Sequence, residues 1–354
     1  MLDTQTIQIQ KTTESRLSAV DFANLDFGAV FSDHMLVIDY ANGEWQTPTI
    51  VPFADFKLSP ANPALHYGQA IFEGLKAYKN EQSEISVFRP VANLDRLNIS
   101  AERLCMPTLP EELFMQGLTE LLRLDADWIP SAPGSALYIR PFMFGTGEFL
   151  GVRPATEYRF AIITCPVNAY YSAPLRVKVE ETYVRAVEGG FGFAKAAGNY
   201  AGSLLPAKKA FEAGYHQLLW TDGKTHEYFE ESGTMNLMFV INDTLLTPAL
   251  STSILAGITR DSILQLAKDQ GITVEERKVS VGEVMEAIQQ GTLQEAFGCG
   301  TAAVISHIVT IGYQGQDYEL PPVNTRKYSP QLAQVLDDIR TGKAPDTHNW
   351  MVQI

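Results

Sequence analysis

Apolar residues in this chain follow two periods. Within 111–126, Phe114, Leu118, Leu121 and Leu122 stand at i, i+4, i+7 and i+8, which places them on one helical face and predicts a helix there. At 158–165 the run YRFAIITC is rich in aromatic and β-branched residues and predicts a strand, and 175–184 alternates apolar with polar. PVNAYYSAP lies between them with two prolines and turn-forming residues, so a linker is expected over 166–187, with one domain over 1–165 and a second over 188–354. The first twenty or so residues lack either period and read as a loosely tied arm. In the second half, Ser280 with Glu283 forms a capping box for a helix over 281–290 that Gly291 closes, and a further helix over 261–270 stops at Gly271. Strands are expected at 217–221, 236–241 and 272–279. The whole is an α/β (α+β) chain with glycine-rich loops at strand ends, where such folds commonly place ligands.

Composition narrows the function classes. At roughly 150 residues per domain, a length of 354 supports two domains, each with its own core. With 27 basic and 41 acidic residues the formal charge is −14, a field that repels phosphate backbones and anionic lipid, so neither nucleic acid nor membrane is an expected partner. Three cysteines without a CxxC pair suit a reducing compartment, and no apolar run reaches the ~18 residues of a membrane span. A cytoplasmic location is expected, since the opening MLDTQTIQIQKTTESR has no signal-peptide pattern.

The chemistry-bearing residues are few. None of the six histidines forms a close metal-ligand spacing, so no metal is expected, and no GxSxG elbow is present. The stretch from Gly298 to Ala303 fits the permissive dinucleotide fingerprint, yet 304–311 is β-branched and predicts a strand where that fingerprint needs a helix. The stretch from Gly189 to Lys195 resembles a P-loop but lacks the glycine before the lysine and the Ser/Thr after it. Lys195 itself stands out among small apolar neighbours, Phe193-Ala194 and Ala196-Ala197-Gly198, without a local carboxylate. An exposed loop lysine is the plain alternative. A partly buried amine in such surroundings is a nucleophile suited to Schiff-base chemistry. Pyridoxal phosphate would further need a carboxylate for its ring nitrogen, which Glu230 or Glu231 could supply. It would also need N–H groups or hydroxyls for its phosphate, which the turns Gly257-Ile258-Thr259, Gly233-Thr234 and Gly300-Thr301 could supply.

Longer blocks carry a family resemblance. FAKAAGNYAGSLLPAKKAFEAGY, EESGTMNLMFVI, LAGITRDSILQLAKDQGI and FGCGTAAVI, in that order, resemble the class IV, fold-type IV aminotransferases. LDFGAVFSDHMLVIDY, ALHYGQAIFEGLKAY, FRPVANLDRL, SALYIRPFMFGTGEFLGVRP and CPVNAYYS resemble the branched-chain-amino-acid aminotransferases within them. The resemblance spans Leu25 to Thr341. It implies a homodimeric pyridoxal 5'-phosphate enzyme with a small N-terminal α+β domain and a larger C-terminal α/β domain with a barrel-like sheet. The implied reaction exchanges amino groups between leucine, isoleucine or valine and 2-oxoglutarate. D-amino-acid aminotransferase and aminodeoxychorismate lyase are the alternatives within the fold, against which the LDFGAVFSDHML and EFLGVRP blocks speak. A non-catalytic binding protein is the alternative outside it.

The same resemblance distributes roles. Lys195 would bind the cofactor and shuttle the proton, Glu231 would pair with the pyridine nitrogen, and Tyr200 would meet the ring oxygen. Arg96 rather than Arg89, with Ile258, Thr259 and Thr301, would hold the phosphate. Phe27, Tyr67, Phe72, Tyr138 and Tyr170, with Tyr200, match an aromatic cage, and Leu150 and Val152 match a loop from the partner subunit. Thr234, which matches the cofactor site as well, and the backbone at Ala302 would hold the substrate α-carboxylate, with Arg140 receiving the second carboxylate of glutamate. Where some relatives carry a redox-active CxxC, this chain has Ala303 and Ser306, so no thiol switch is expected there; Cys105, Cys165 and Cys299 read as small buried hydrophobes.

Overall fold

The computed structural model describes residues 6–168, 173–302 and 304–354, which divide into two compact units. One comprises Met1–Tyr170, Ala194–Gly198 and Arg340–Ile354; the other comprises Tyr171–Phe193 and Asn199–Ile339.

The first unit is a twisted, mostly antiparallel sheet backed by helices. Its strands are β1 (Gln8–Ile9), β2 (His34–Ala41), β3 (Glu44–Trp45), β4 (Thr49–Pro52), β5 (Ala70–Phe72), β6 (Leu75–Lys79), β7 (Ile85–Phe88), β8 (Ala136–Gly145) and β9 (Tyr158–Val167). The order is β1-β4-β2-β9-β8-β6-β7, with β3 on β2 and β5 on β8, and a last strand, Met351–Gln353, pairs with β7. Three helices belong to it: α1 (Pro63–Tyr67), α2 (Pro90–Arg103) and α3 (Glu111–Leu124). The periodic residues that predict α3 are the ones it buries: Phe114, Leu118, Leu121 and Leu122 join Leu36 and Ile38 of β2 and Phe160 of β9 in one core. A glycine in mid-helix weakens a helix by ~1 kcal/mol, but a Cβ at Gly117 would stand 2.5 Å from the Leu36 side chain.

The N-terminal arm is tied more firmly than its sequence suggests. β1 pairs in parallel with β4, and the Ser15 hydroxyl and Arg16 N–H both donate to Asp33. Buried His34 lies 2.6 Å from Asp125 through Nδ1 while its Nε2 accepts the Thr12 N–H, so it is a satisfied core histidine.

The second unit closes on itself. Its strands are β10 (Leu175–Val179), β11 (Gln217–Thr221), β12 (Phe229–Ser232), β13 (Met235–Ile241), β14 (Thr244–Pro248), β15 (Thr273–Arg277), β16 (Leu293–Gly300), β17 (Val304–Tyr313) and β18 (Gln316–Glu319). Hydrogen-bonded neighbours run β12-β11-β10-β17-β16-β13, and β13 pairs back onto β12, which makes a closed barrel of these six strands; β14 and β15 extend it and β18 pairs with β17. Closure removes the free edges that an open sheet would expose. Val177, Leu219, Leu237, Phe239, Ala296 and Ile308 fill its core. Its helices are α5 (Leu204–Glu212), α6 (Ile258–Asp269), α7 (Val281–Gln289) and all but the last residue of α8 (Tyr328–Arg340), while α4 (Ala197–Ala201) has its first two residues in the first unit and the rest in the second. Among the described residues no helix is long and apolar enough to cross a membrane.

Three expectations about segments change. Part of the span expected to link domains is β10, whose fully apolar alternate positions bury Leu175, Val177 and Val179 in the barrel. The C-terminal residues expected in the second domain lie with the first unit, because Met351–Gln353 completes its sheet beside β7. Helix α6 starts three residues before the predicted 261, because Gly257 already serves as its N-cap. The capping box at α7 forms as its sequence predicts: the Ser280 side chain accepts the Glu283 N–H at 3.0 Å, and Gly291 follows with φ +71°. Replacing Ser280 with Ala therefore removes one cap and lowers stability by about 1 kcal/mol, to be read as a lower thermal midpoint by calorimetry; an unchanged midpoint excludes the cap as a stabilising contact.

Candidate active site

In the first unit the lysine segment is held by its backbone. The Lys195 N–H donates to Ser100 Oγ of α2 at 2.9 Å, its carbonyl accepts the Phe72 N–H at 3.0 Å, and Ala196 bridges Ile71 of β5. Ala194 and Ala196, each 1% exposed, flank it in the core. The Lys195 ammonium sits 4.9 Å from the centre of the Phe72 ring, a cation–π platform that orients the amine. Small neighbours that signal partial burial in the sequence thus place a half-buried amine at a fixed point.

Beside it, Arg96 of α2 is buried and gives Nε and Nη2 to the two oxygens of Glu73 at 2.7 and 2.8 Å. Such a bidentate fork fixes the plane of a guanidinium. Arg89, the alternative, instead caps the start of α2 and lies over the Trp350 ring, 5.3 Å from its centre. The glutamate that orients Arg96 carries no signal in the sequence, because its partner is on another element.

A second guanidinium lies on the aromatic residues of the same unit. Arg140 Cζ is 4.6 Å from the Phe72 ring centre and 5.2 Å from that of Tyr138, and Nη2 donates to the Tyr138 hydroxyl at 2.9 Å. Its buried Nε has no hydrogen-bond partner, and among the described residues no carboxylate pairs with this cation. Phe27 meets Tyr138 edge to face at 4.9 Å. Gly74 is required here, since a Cβ there would collide with the Tyr138 hydroxyl. Phe27, Phe72, Tyr138, Arg140, Arg96 and Lys195 thus share one unit and linked contacts. Tyr67 stands exposed at the end of α1, and Leu150 and Val152 are 70% and 89% exposed on the loop between β8 and β9, so no contact brings these three into that cluster. Tyr170 and Ala303 lie outside the described residues.

In the second unit the two adjacent acids stand at an irregularity of β12, where the register against β11 passes from Glu231–Trp220 to Phe229–Thr221 and leaves Glu230 unmatched. Glu231 on β12 is buried; its Oε1 accepts the Leu255 N–H at 2.7 Å and its Oε2 lies 3.1 Å from Arg185 Nε, a residue that no sequence pattern marks. The guanidinium also donates from Nη2 to the carbonyls of Gly192 and Ser253. A carboxylate so oriented can hold a proton on a neighbouring base. Thr234 is exposed in the two-residue turn between β12 and β13, and Thr301 and Ala302 form the turn between β16 and β17. That antiparallel hairpin disposes of the dinucleotide fingerprint. Ile258 and Thr259 open α6 behind Gly257, which offers no side chain as a cap, and a helix start of this kind is suited to an anion. Tyr200 is half-buried on α4.

The cysteines divide. Cys165 and Cys299 are buried, and burial pushes their thiols up to about 11 and about 12. Cys105 is exposed, contrary to expectation, because the chain turns there with φ +54° and Met106 takes the buried place. Ser306 is buried on β17.

A poised lysine on one unit and a closed six-stranded barrel bearing a buried, arginine-paired glutamate on the other define the class: an α/β enzyme of the fold-type IV kind. The chain belongs to the class IV amino-transferase family, whose model matches residues 70–311. It is 47% identical over 346 residues to a probable branched-chain-amino-acid aminotransferase of Staphylococcus epidermidis, covering 96% of each. Among solved structures it is similar to the branched-chain aminotransferase of Thermoproteus uzoniensis with norvaline, with a TM-score of 0.75, 26% identity and coverage of 90% of this chain and 99% of that one. It is also similar to a T.th. branched-chain amino acid aminotransferase complexed with N-(5'-phosphopyridoxyl)-L-glutamate, with a TM-score of 0.71, 28% identity and coverage of 90% and 97%.

Removing the acid that orients Arg96 tests the local electrostatics. Glu73→Ala leaves a buried guanidinium without its bidentate partner and lowers stability by about 3 kcal/mol, measured by urea unfolding; a loss below about 1 kcal/mol shows that solvent or another group takes the charge.

Proposed function

We propose that this chain transfers the amino group of L-leucine, L-isoleucine or L-valine to 2-oxoglutarate in a reversible ping-pong reaction, using pyridoxal 5'-phosphate. The observation that carries the reading is Lys195, a half-buried amine held by its backbone to α2 and β5 and set against the face of the Phe72 ring. The names of the relatives support the substrate class, and the phosphopyridoxyl title supports the cofactor.

The residues present fit that group by their chemistry: an amine for an aldehyde, a buried carboxylate for a ring nitrogen, and a helix start behind a glycine for a phosphate. Bound pyridoxal phosphate supplies an aldehyde that takes up amino groups and a ring that accepts the electron pair left at the substrate Cα. Lys195 would hold the aldehyde carbon and then carry the proton from the substrate Cα. Glu231, faced by Arg185 and the Leu255 N–H, would hold a proton at the ring nitrogen. Tyr200 would hydrogen-bond the ring oxygen; Arg96, Thr301 and the N–H groups of Ile258 and Thr259 would hold the phosphate. Thr234 and the backbone at Ala302 would orient the substrate carboxylate.

Phe27, Phe72 and Tyr138, with Tyr67 and Tyr170, would enclose an apolar side chain and exclude water from it. The unpartnered Nε of Arg140 suits the second carboxylate of glutamate, which an otherwise apolar cage would reject. Leu150 and Val152, exposed in one chain, would cover the cage of a partner subunit in a homodimer, and the enzyme would work in the cytoplasm.

Purified protein given pyridoxal phosphate is expected to acquire the cofactor's visible absorption and to turn over L-leucine but not D-alanine or aminodeoxychorismate. Lys195→Ala is expected to cut turnover by roughly 10²–10⁴-fold and to leave the cofactor removable by dialysis. Absence of the absorption, or full turnover by the Lys195 variant, defeats the reading. Glu231→Gln separates the electron-withdrawing role from binding: single-turnover proton abstraction should slow by about 10² or more in a folded protein, and an unchanged rate removes that role.

A further inference from the structure

Glu230 poses a problem that Glu231 does not. It is 8% exposed, among the described residues no cation lies in ion-pair contact with it, and burial pushes its carboxyl above the usual carboxylate range against the opposing field of Arg185. Its Oε2 has no hydrogen-bond partner, and the side chain lines a cavity of about 520 Å³ together with Asp222, Lys224, Tyr228 and Lys278. An unpaired buried acid is costly, and an apolar residue of similar volume would serve the core better.

Its one hydrogen bond accounts for its presence. Glu230 Oε1 accepts the Ser253 hydroxyl, and Ser253 belongs to the loop 251–255. Two partners of Glu231 depend on that loop: Leu255 supplies an N–H, and the Ser253 carbonyl receives Nη2 of the Arg185 that faces Glu231. Gly192 bounds the loop on another side, since a Cβ there would stand 2.6 Å from the Ser253 carbonyl oxygen. A loop held against Gly192 and hydrogen-bonded to Glu230 has little freedom to shift.

We propose that Glu230 is a positioning residue for Glu231, acting through Ser253 and the 251–255 loop to hold Arg185 and the Leu255 N–H against that carboxylate. The two acids of β12 then have separate duties: Glu231 toward the cofactor's ring nitrogen, Glu230 toward the loop that keeps Glu231 in place. The inference rests on the proposed cofactor reading.

The test compares Glu230→Leu, Glu230→Gln and Ser253→Ala, each purified with pyridoxal phosphate. Leucine removes the acceptor and the buried acid together, so the protein should melt no lower than the parent, whereas its cofactor dissociation constant should rise about three- to tenfold and its absorption maximum should move. Glutamine keeps an acceptor for the Ser253 hydroxyl and should restore both parental values. Ser253→Ala should reproduce the leucine phenotype, and the double variant should be no worse than either single one; if Glu230→Leu does not fold, Ser253→Ala carries the comparison. A crystal structure of the leucine variant should show the Arg185–Glu231 separation lengthened. Parental affinity and spectrum in Glu230→Leu, or a glutamine variant as impaired as the leucine one, overturns the inference alone. A parent protein without cofactor absorption removes the class reading and this inference together.

Discussion

Closure of the barrel rests on a two-residue turn. β12 and β13 pair at only Glu231 with Asn236 and Ser232 with Met235, and the chain reverses through Gly233 and Thr234. Gly233 takes φ +58° with the Gln217 side chain pressed against it, so any side chain there would face both an unfavourable backbone region and a clash. The Trp220 indole donates to the Gly233 carbonyl and pins the turn. On one side Glu231 is registered against Trp220 of β11, on the other against Asn236 of β13, and Asn236 reaches on to the Leu255 carbonyl. The ladder that closes the barrel therefore sets the position of the acid and of the loop that serves it.

Charge is handled locally and against the grain of the chain. With a net charge of −14, the protein still holds three guanidinium groups in fixed orientations: Arg96, Arg140 and Arg185 are each fixed by carbonyls, a hydroxyl, an aromatic face or a carboxylate. Buried pairs such as Glu73–Arg96 and Arg185–Glu231 contribute little net stability once desolvation is counted. What they provide is orientation. Global acidity and local cationic character are compatible because screening confines each field to roughly 10 Å in ordinary salt.

What can be read from the residues depends on how far apart interacting groups lie in sequence. Helices α3 and α7 are legible because their signals, the periodic face of Phe114 and Leu118 and the Ser280–Glu283 box, are complete within one or two turns. The glycine turns, the lysine and the strand that excludes a dinucleotide site are legible for the same reason. The pairings are not. Nothing near Arg96 points to Glu73, nothing near Glu231 points to Arg185, and the choice between Glu230 and Glu231 needs the resemblance, since both neighbours are acids on one strand. β10 falls inside the expected linker because the turn residues ahead of it outweigh a five-residue alternation. Exposed Cys105 defeats a rule that holds on average but gives way where a loop turns outward.

The way the first unit is assembled from three stretches of chain bears on its synthesis. Its sheet ends on a strand, Met351–Gln353, laid against β7, and the peptide bearing Lys195 is drawn in between them in sequence. Val87 must wait for Val352, so the β7 edge stays unpaired until the chain has been made as far as that strand. Contacts so remote along the chain carry a large loop-closure entropy and fold slowly. For that interval the apolar β7 edge is a surface that a chaperone can recognise.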